Sequence, residues 1–147
     1  MIMKLNLIYC LMIALIIGGC SQPKSLKIEG DWKLVQYQTI NGDSVINEFP
    51  GKRDLDVTKI WSGNHWVAVG RDKCDTIVVD WYGLGTYKLN GNKYEENVEI
   101  LFYKPWEGKT IKMLMEMKSD TLIVNYPVDD KGQMDKDWAW IEKYVRL

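Results

Sequence analysis

The chain has 147 residues, 46% of them hydrophobic and 27% charged, with 19 Lys and Arg against 20 Asp and Glu for a formal net charge of −1. One compact domain accounts for that length, which excludes a second catalytic domain. The charge balance gives no bulk attraction to a polyanion, so no nucleic-acid partner is expected, and the apolar content is too high for intrinsic disorder.

The N-terminus carries Lys4 and then an almost unbroken apolar run over residues 7–17, which ends in Gly18, Gly19 and Cys20. A charged start, a short apolar stretch and small residues at its end read as a secretory signal peptide over residues 1–19. As a helix this run rises only about 16 Å, roughly half the apolar thickness of a bilayer, which is too short for a permanent span. Ile17-Gly18-Gly19-Cys20 resembles the bacterial lipobox, in which a branched residue and two small ones precede a lipidated Cys; Cys10 follows bulky Tyr9 and lacks that context. The resemblance implies that Cys20 carries diacylglycerol, begins the mature chain and anchors it in a lipid bilayer. The alternative is ordinary cleavage with Cys20 present by chance.

Residues 20–29 then read as lipidated Cys and linker. Ser21-Gln22-Pro23-Lys24-Ser25 has a flexible reach of about 12 Å, which keeps the domain close to the bilayer. Ser21 stands where an Asp would signal inner-membrane retention in the enterobacterial sorting pattern, so the expected location is the cell envelope, at the periplasmic face of the outer membrane. With Cys10 removed and Cys20 acylated, Cys74 has no thiol partner, and the fold must stand without a disulfide.

From Gly30 onward, period-two alternation and turn signals recur, and no amphipathic helix stands out. A first strand is predicted over residues 31–38, followed by residues 41–56, the longest unpatterned stretch, expected to lie over one end of the fold. A hairpin turning at Gly63-Asn64 places Trp61 opposite Trp66, and both of its faces are mixed in character. A possible strand lies near residues 77–82. Asn90-Gly91-Asn92 supplies the positive-φ positions of a tight hairpin and puts Tyr87, Leu89, Tyr94, Glu96, Val98 and Ile100 on one face. Strands over 110–118 and 121–126 turn at Ser119-Asp120, which pairs Met117 with Leu122, Met115 with Val124 and Met113 with Tyr126. A last strand covers 138–146. Eight or nine strands joined by consecutive hairpins predict an all-β domain over residues 30–147, an antiparallel up-and-down β-barrel, with a two-sheet sandwich as the alternative.

Gly30-Asp31-Trp32, Gly85-Thr86-Tyr87, Tyr94-Glu95-Glu96 and the terminal Trp140-Ile141-Glu142-Lys143-Tyr144-Val145-Arg146 resemble the lipocalin, or calycin, superfamily over residues 30–147. The resemblance is to small bacterial lipocalin-like lipoproteins. It implies a barrel whose Trp32 plugs one end and is crossed by Arg146, with Gly30, Trp32 and Arg146 as the structural signature.

Seven Trp and, leaving out Tyr9 of the signal segment, seven Tyr are many for one small domain. Such side chains suit either a filled core or a pocket for an apolar or amphipathic molecule. Parity assigns Tyr87, Tyr94, Glu96, Met113, Met115 and Met117 to one interior, and Trp138 and Trp140 join them if the last strand turns inward with Glu142, Tyr144 and Arg146. Glu96, on an apolar face, requires an internal Arg, Tyr or Gln or a ligand's polar group to offset its desolvation. Gln36 shares the face of Trp32 and Leu34. His65, the single His, sits at a hairpin turn, so neither a His-based metal site nor two-His catalysis is expected. No nucleophile elbow, phosphate loop or zinc-protease motif occurs. The expectation is therefore a membrane-anchored barrel that binds a small apolar or amphipathic ligand without cofactor or catalysis. The alternative is an interaction module whose barrel is filled by its own side chains.

Overall fold

The computed structural model describes residues 26–74 and 76–147. The expected signal peptide over residues 1–19, the expected lipidation site Cys20 and residues 21–25 lie outside the described residues. Nine strands follow one another: β1 (Gly30–Asn41), β2 (Ser44–Phe49), β3 (Asp54–Ser62), β4 (His65–Cys74), β5 (Ile77–Asn90), β6 (Lys93–Leu101), β7 (Thr110–Lys118), β8 (Thr121–Tyr126) and β9 (Ala139–Arg146). A short 3-10 turn, Lys104–Trp106, interrupts the connection from β6 to β7. Every strand from β3 to β9 bonds to the next, and β9 closes onto β1. The result is a closed antiparallel eight-stranded barrel with one additional strand.

That additional strand is β2, and it corrects one expectation. Residues 41–56 are not an unpatterned loop: a turn at Gly42, with φ of +57°, sends β2 back along residues 37–41 of β1. β3 then takes the same edge of β1 beside residues 30–33. The β3–β4, β5–β6 and β7–β8 turns all lie at the other end of the barrel, where Gly63 and Gly91 supply left-handed φ values of +59° and +63°. Met117 faces Leu122 and Met115 faces Val124 across β7 and β8. Strand β5 is continuous through residues 77–90, joining what reads as two segments in the sequence.

Two β-bulges change which residues face inward. On β1, Leu34 pairs with Tyr144 while Gln36 pairs with Lys143, so Val35 is an extra residue. An inserted residue reverses the alternation beyond it. Trp32 and Leu34 face in, Gln36 moves to the wall, and Tyr37 and Thr39 become the buried pair. On β6, Glu99 is the extra residue between Val98, opposite Gly85, and Ile100, opposite Leu84. Ile100 is consequently exposed instead of inward, and Leu101 takes its place against the core.

Candidate functional site

The end of the barrel that holds the chain's first described residues is filled. Ile28 is buried there and accepts a hydrogen bond of 2.7 Å from Trp32 Nε1, so residues 26–29, which read as linker, belong to the folded end cap. Arg146 lies with its guanidinium carbon 4.4 Å from the Trp32 ring centre and donates to the carbonyls of Glu29 and Lys27 at 2.7 and 3.2 Å. A Cβ at Gly30, where φ is +120°, would stand 2.5 Å from the Arg146 guanidinium, so glycine is needed at that position. Below this lid, Trp61 meets Trp32, Tyr94 and Tyr144 edge to face.

The opposite end is open and holds a cavity of about 470 Å³. Trp66, Trp81, Trp106, Trp138 and Trp140 line it, with Tyr37, Tyr126, Phe102, Leu101 and Met113 between them. β5 admits Trp66 to the interior because it presents glycine there. A Cβ at Gly83 would stand 3.0 Å from the Trp66 ring, and one at Gly85 only 1.9 Å from the Asn97 carbonyl oxygen. Around the mouth, Trp106 sits edge-on to Trp140 at 5.3 Å, and Trp140 stacks on Tyr126 at 5.5 Å.

The inner end of this apolar space is polar. Lys59, buried on β3, forms an ion pair with Glu96 on β6 and lies 5.2 and 4.7 Å from the Trp61 and Trp66 ring centres. Tyr94 donates to the same Glu96 oxygen at 2.8 Å and accepts from Trp61 Nε1 at 2.8 Å. Glu142 on β9 accepts from the Tyr126 and Tyr144 hydroxyls, each at 2.6 Å. Burial raises the Glu142 carboxyl above its ordinary range; the Lys59 charge and the two tyrosine hydroxyls oppose that rise, and the Glu96 charge adds to it. Burial, reinforced by these carboxylates, holds the hydroxyls of Tyr94, Tyr126 and Tyr144 well above 10. Arg53, also in the lining, is paired with Asp72.

Of the residues the sequence nominates, Glu96, Met113, Trp138 and Trp140 line this cavity, as do Glu142 and Tyr144. The single shared space expected for the others does not exist. Tyr94 and Met115, at 0% and 1% exposure, are enclosed in solid packing, and Met117 lies partly buried against that core. Tyr87 stacks on Tyr94 at 5.3 Å and lines a separate, open pocket at the closed end with Leu26, Leu89 and Arg146. His65 is exposed beside its turn. Among the described residues, no three His, Cys, Asp or Glu side chains gather into a metal-binding group.

Lys59, Arg53, Trp81 and Trp106 are site residues that the sequence reading misses. Lys59 was legible in one respect: Leu55, Val57, Lys59 and Trp61 alternate on β3, and all four are buried. A lysine in such a row reads as a sign that the row faces water, which is why both faces of this hairpin look mixed. The partner of Glu96 is this lysine together with Tyr94. No family profile matches the chain, and no curated protein is significantly similar to it.

Proposed function

We propose that this protein is a membrane-anchored lipoprotein whose lipocalin-like barrel holds a small apolar or amphipathic molecule in its open end. The observation that carries the reading is the cavity itself. At about 470 Å³ it falls within the range typical of small-molecule sites, and it combines aromatic walls with a few fixed polar groups at its inner end. A barrel serving only as an interaction module has no use for that unfilled space, since an unfilled apolar void forfeits packing energy. Mechanism here means transfer of the ligand's apolar body out of water, with the polar groups fixing its orientation.

Five of the seven Trp line the cavity, so intrinsic fluorescence reports occupancy. Titration with fatty acids, sterols, aromatic acids and oligosaccharides should produce a saturable change with at least one class. Ala68 also lines the cavity, and Ala68→Trp fills it from the wall; this variant should fold and lose that response. An unchanged response in Ala68→Trp would place binding elsewhere. Support for the anchor comes from the apolar run and Ile17-Gly18-Gly19-Cys20. Cys20→Ala should abolish incorporation of labelled fatty acid and release the protein from the membrane fraction; identical labelling and fractionation of the two forms would sink the lipoprotein reading.

A further inference from the structure

Both hydrogen bonds that Glu96 receives fall on one of its oxygens: Lys59 Nζ and the Tyr94 hydroxyl donate to Oε1, and Oε2 takes none. Among the described residues, the buried side-chain polar atoms left without a partner are the indole nitrogens of Trp66 and Trp81, which are sealed inside the wall. Oε2 is not one of them, so it is accessible, although Glu96 as a whole is only 3% exposed. Glu96 belongs to the cavity lining, and the cavity is therefore what this oxygen faces. Glu142 offers no such opening, because Tyr126 donates to its Oε1 and Tyr144 to its Oε2.

A carboxylate oxygen at the inner end of an aromatic-walled space calls for a donor, and a bond to a charged acceptor is stronger than one between neutral groups. Charge decides which donor fits. Lys59 sits on the same carboxylate, so the pair is neutral, and an entering ammonium would be repelled by Lys59 Nζ. An entering carboxylate would set a second negative charge against Oε2 and bring no proton to it. Arg53 offers an anion little compensation, since Asp72 already balances its charge. A hydroxyl meets none of these objections.

We propose that the occupant is a neutral amphipathic alcohol that enters hydroxyl first, donating to Glu96 Oε2 while its apolar body lies along the tryptophan walls. This rests on the ligand-binding reading above and adds to it a chemical class and an orientation.

Calorimetric titration of the full-length protein tests this with two apolar bodies, 2-naphthylmethyl and n-octyl. Each carries in turn a hydroxyl, a methyl ether, an ammonium or a carboxylate. On at least one body the alcohol should bind roughly tenfold tighter than its methyl ether, which keeps the oxygen and loses the proton, and more tightly than either ion. Glu96→Gln removes the charged acceptor and leaves Lys59 uncompensated. The alcohol's advantage over the ether should then shrink to less than about threefold, and carboxylate affinity should rise about tenfold. If on both bodies the ether or an ion binds as tightly as the alcohol, the alcohol class is wrong while the cavity remains a binding site. An advantage that survives undiminished in Glu96→Gln also overturns the proposal, since another group is then the acceptor. If no compound of the set binds, the alcohol proposal falls alone, because the ligand-binding reading is decided by the wider titration and by Ala68→Trp. The comparison of alcohol with ether on the unaltered protein stands even if Glu96→Gln fails to fold.

Discussion

The closed and open halves of the barrel share their strands and their alternation, yet they use aromatic residues in opposite ways. Toward the closed end, Trp32, Trp61 and Tyr94 are at most 1% exposed, and Trp61 meets the other two edge to face. Toward the mouth, Trp81, Trp106 and Trp140 are only partly buried, and Trp138 is 42% exposed. A ring enclosed by protein contributes its transfer energy to folding, whereas a ring with one face on open space keeps part of that energy for a ligand. The Lys59–Glu96 pair lies at the inner end of the cavity, in contact with both regimes. Its ammonium touches Trp61 of the closed half and Trp66 of the cavity wall.

Substitutions at the two ends should separate these roles. Trp32→Ala, at the closed end, should cost about 3–5 kcal/mol, whereas Trp138→Ala at the rim should cost less than about 1 kcal/mol in stability and weaken any bound ligand instead. Urea unfolding of the two variants checks this, and equal losses would erase the distinction between the halves. Lys59→Met should match the larger figure, since it leaves Glu96 buried without its cation, at about 3–5 kcal/mol. Replacing both partners as Lys59→Met with Glu96→Leu should recover most of that loss, and a double variant as unstable as the sum would show that the pair is not coupled.

Arg146→Ala should be milder, at about 0.5–2 kcal/mol, because it removes a stacked cation and leaves the indole in place. A double-mutant cycle with Trp32→Ala should show coupling between the two; simple additivity would contradict the stacked arrangement. The smallest effect concerns acid titration. Because Glu142 is raised above the usual 4.5, chiefly by burial, the native state keeps its proton to higher pH than the unfolded chain. Its contribution is fully favourable below the unfolded pKa and is lost as pH rises from there through the native value. Glu142→Gln should therefore flatten the decline in stability across that window, and an unchanged pH profile would assign the decline to other groups.

Much of this architecture can be read in the order of residues, because side-chain alternation and turn chemistry are local. The hairpin turns at Gly63, Gly91 and Ser119, the inward row of Met113 and Met115, and the pairing of Trp61 with Trp66 all follow from period two and from residues that tolerate positive φ. Bulges are the first thing that local pattern does not reveal. Single extra residues at Val35 and Glu99 turned Gln36 and Ile100 away from the interior, and nothing in the neighbouring alternation marks them. The second is height along the barrel. Parity states that Tyr87, Tyr94, Glu96 and Met113 share one face, but not that Glu96 and Met113 border open space while Tyr94 lies in solid packing and Tyr87 faces the far end. Height depends on strand stagger, which is set only when β9 closes on β1. The third is the interior lysine. Whether Lys59 faces water or a carboxylate 37 residues away depends on β3 and β6 being brought across the barrel from each other, a relation that exists only in the closed fold.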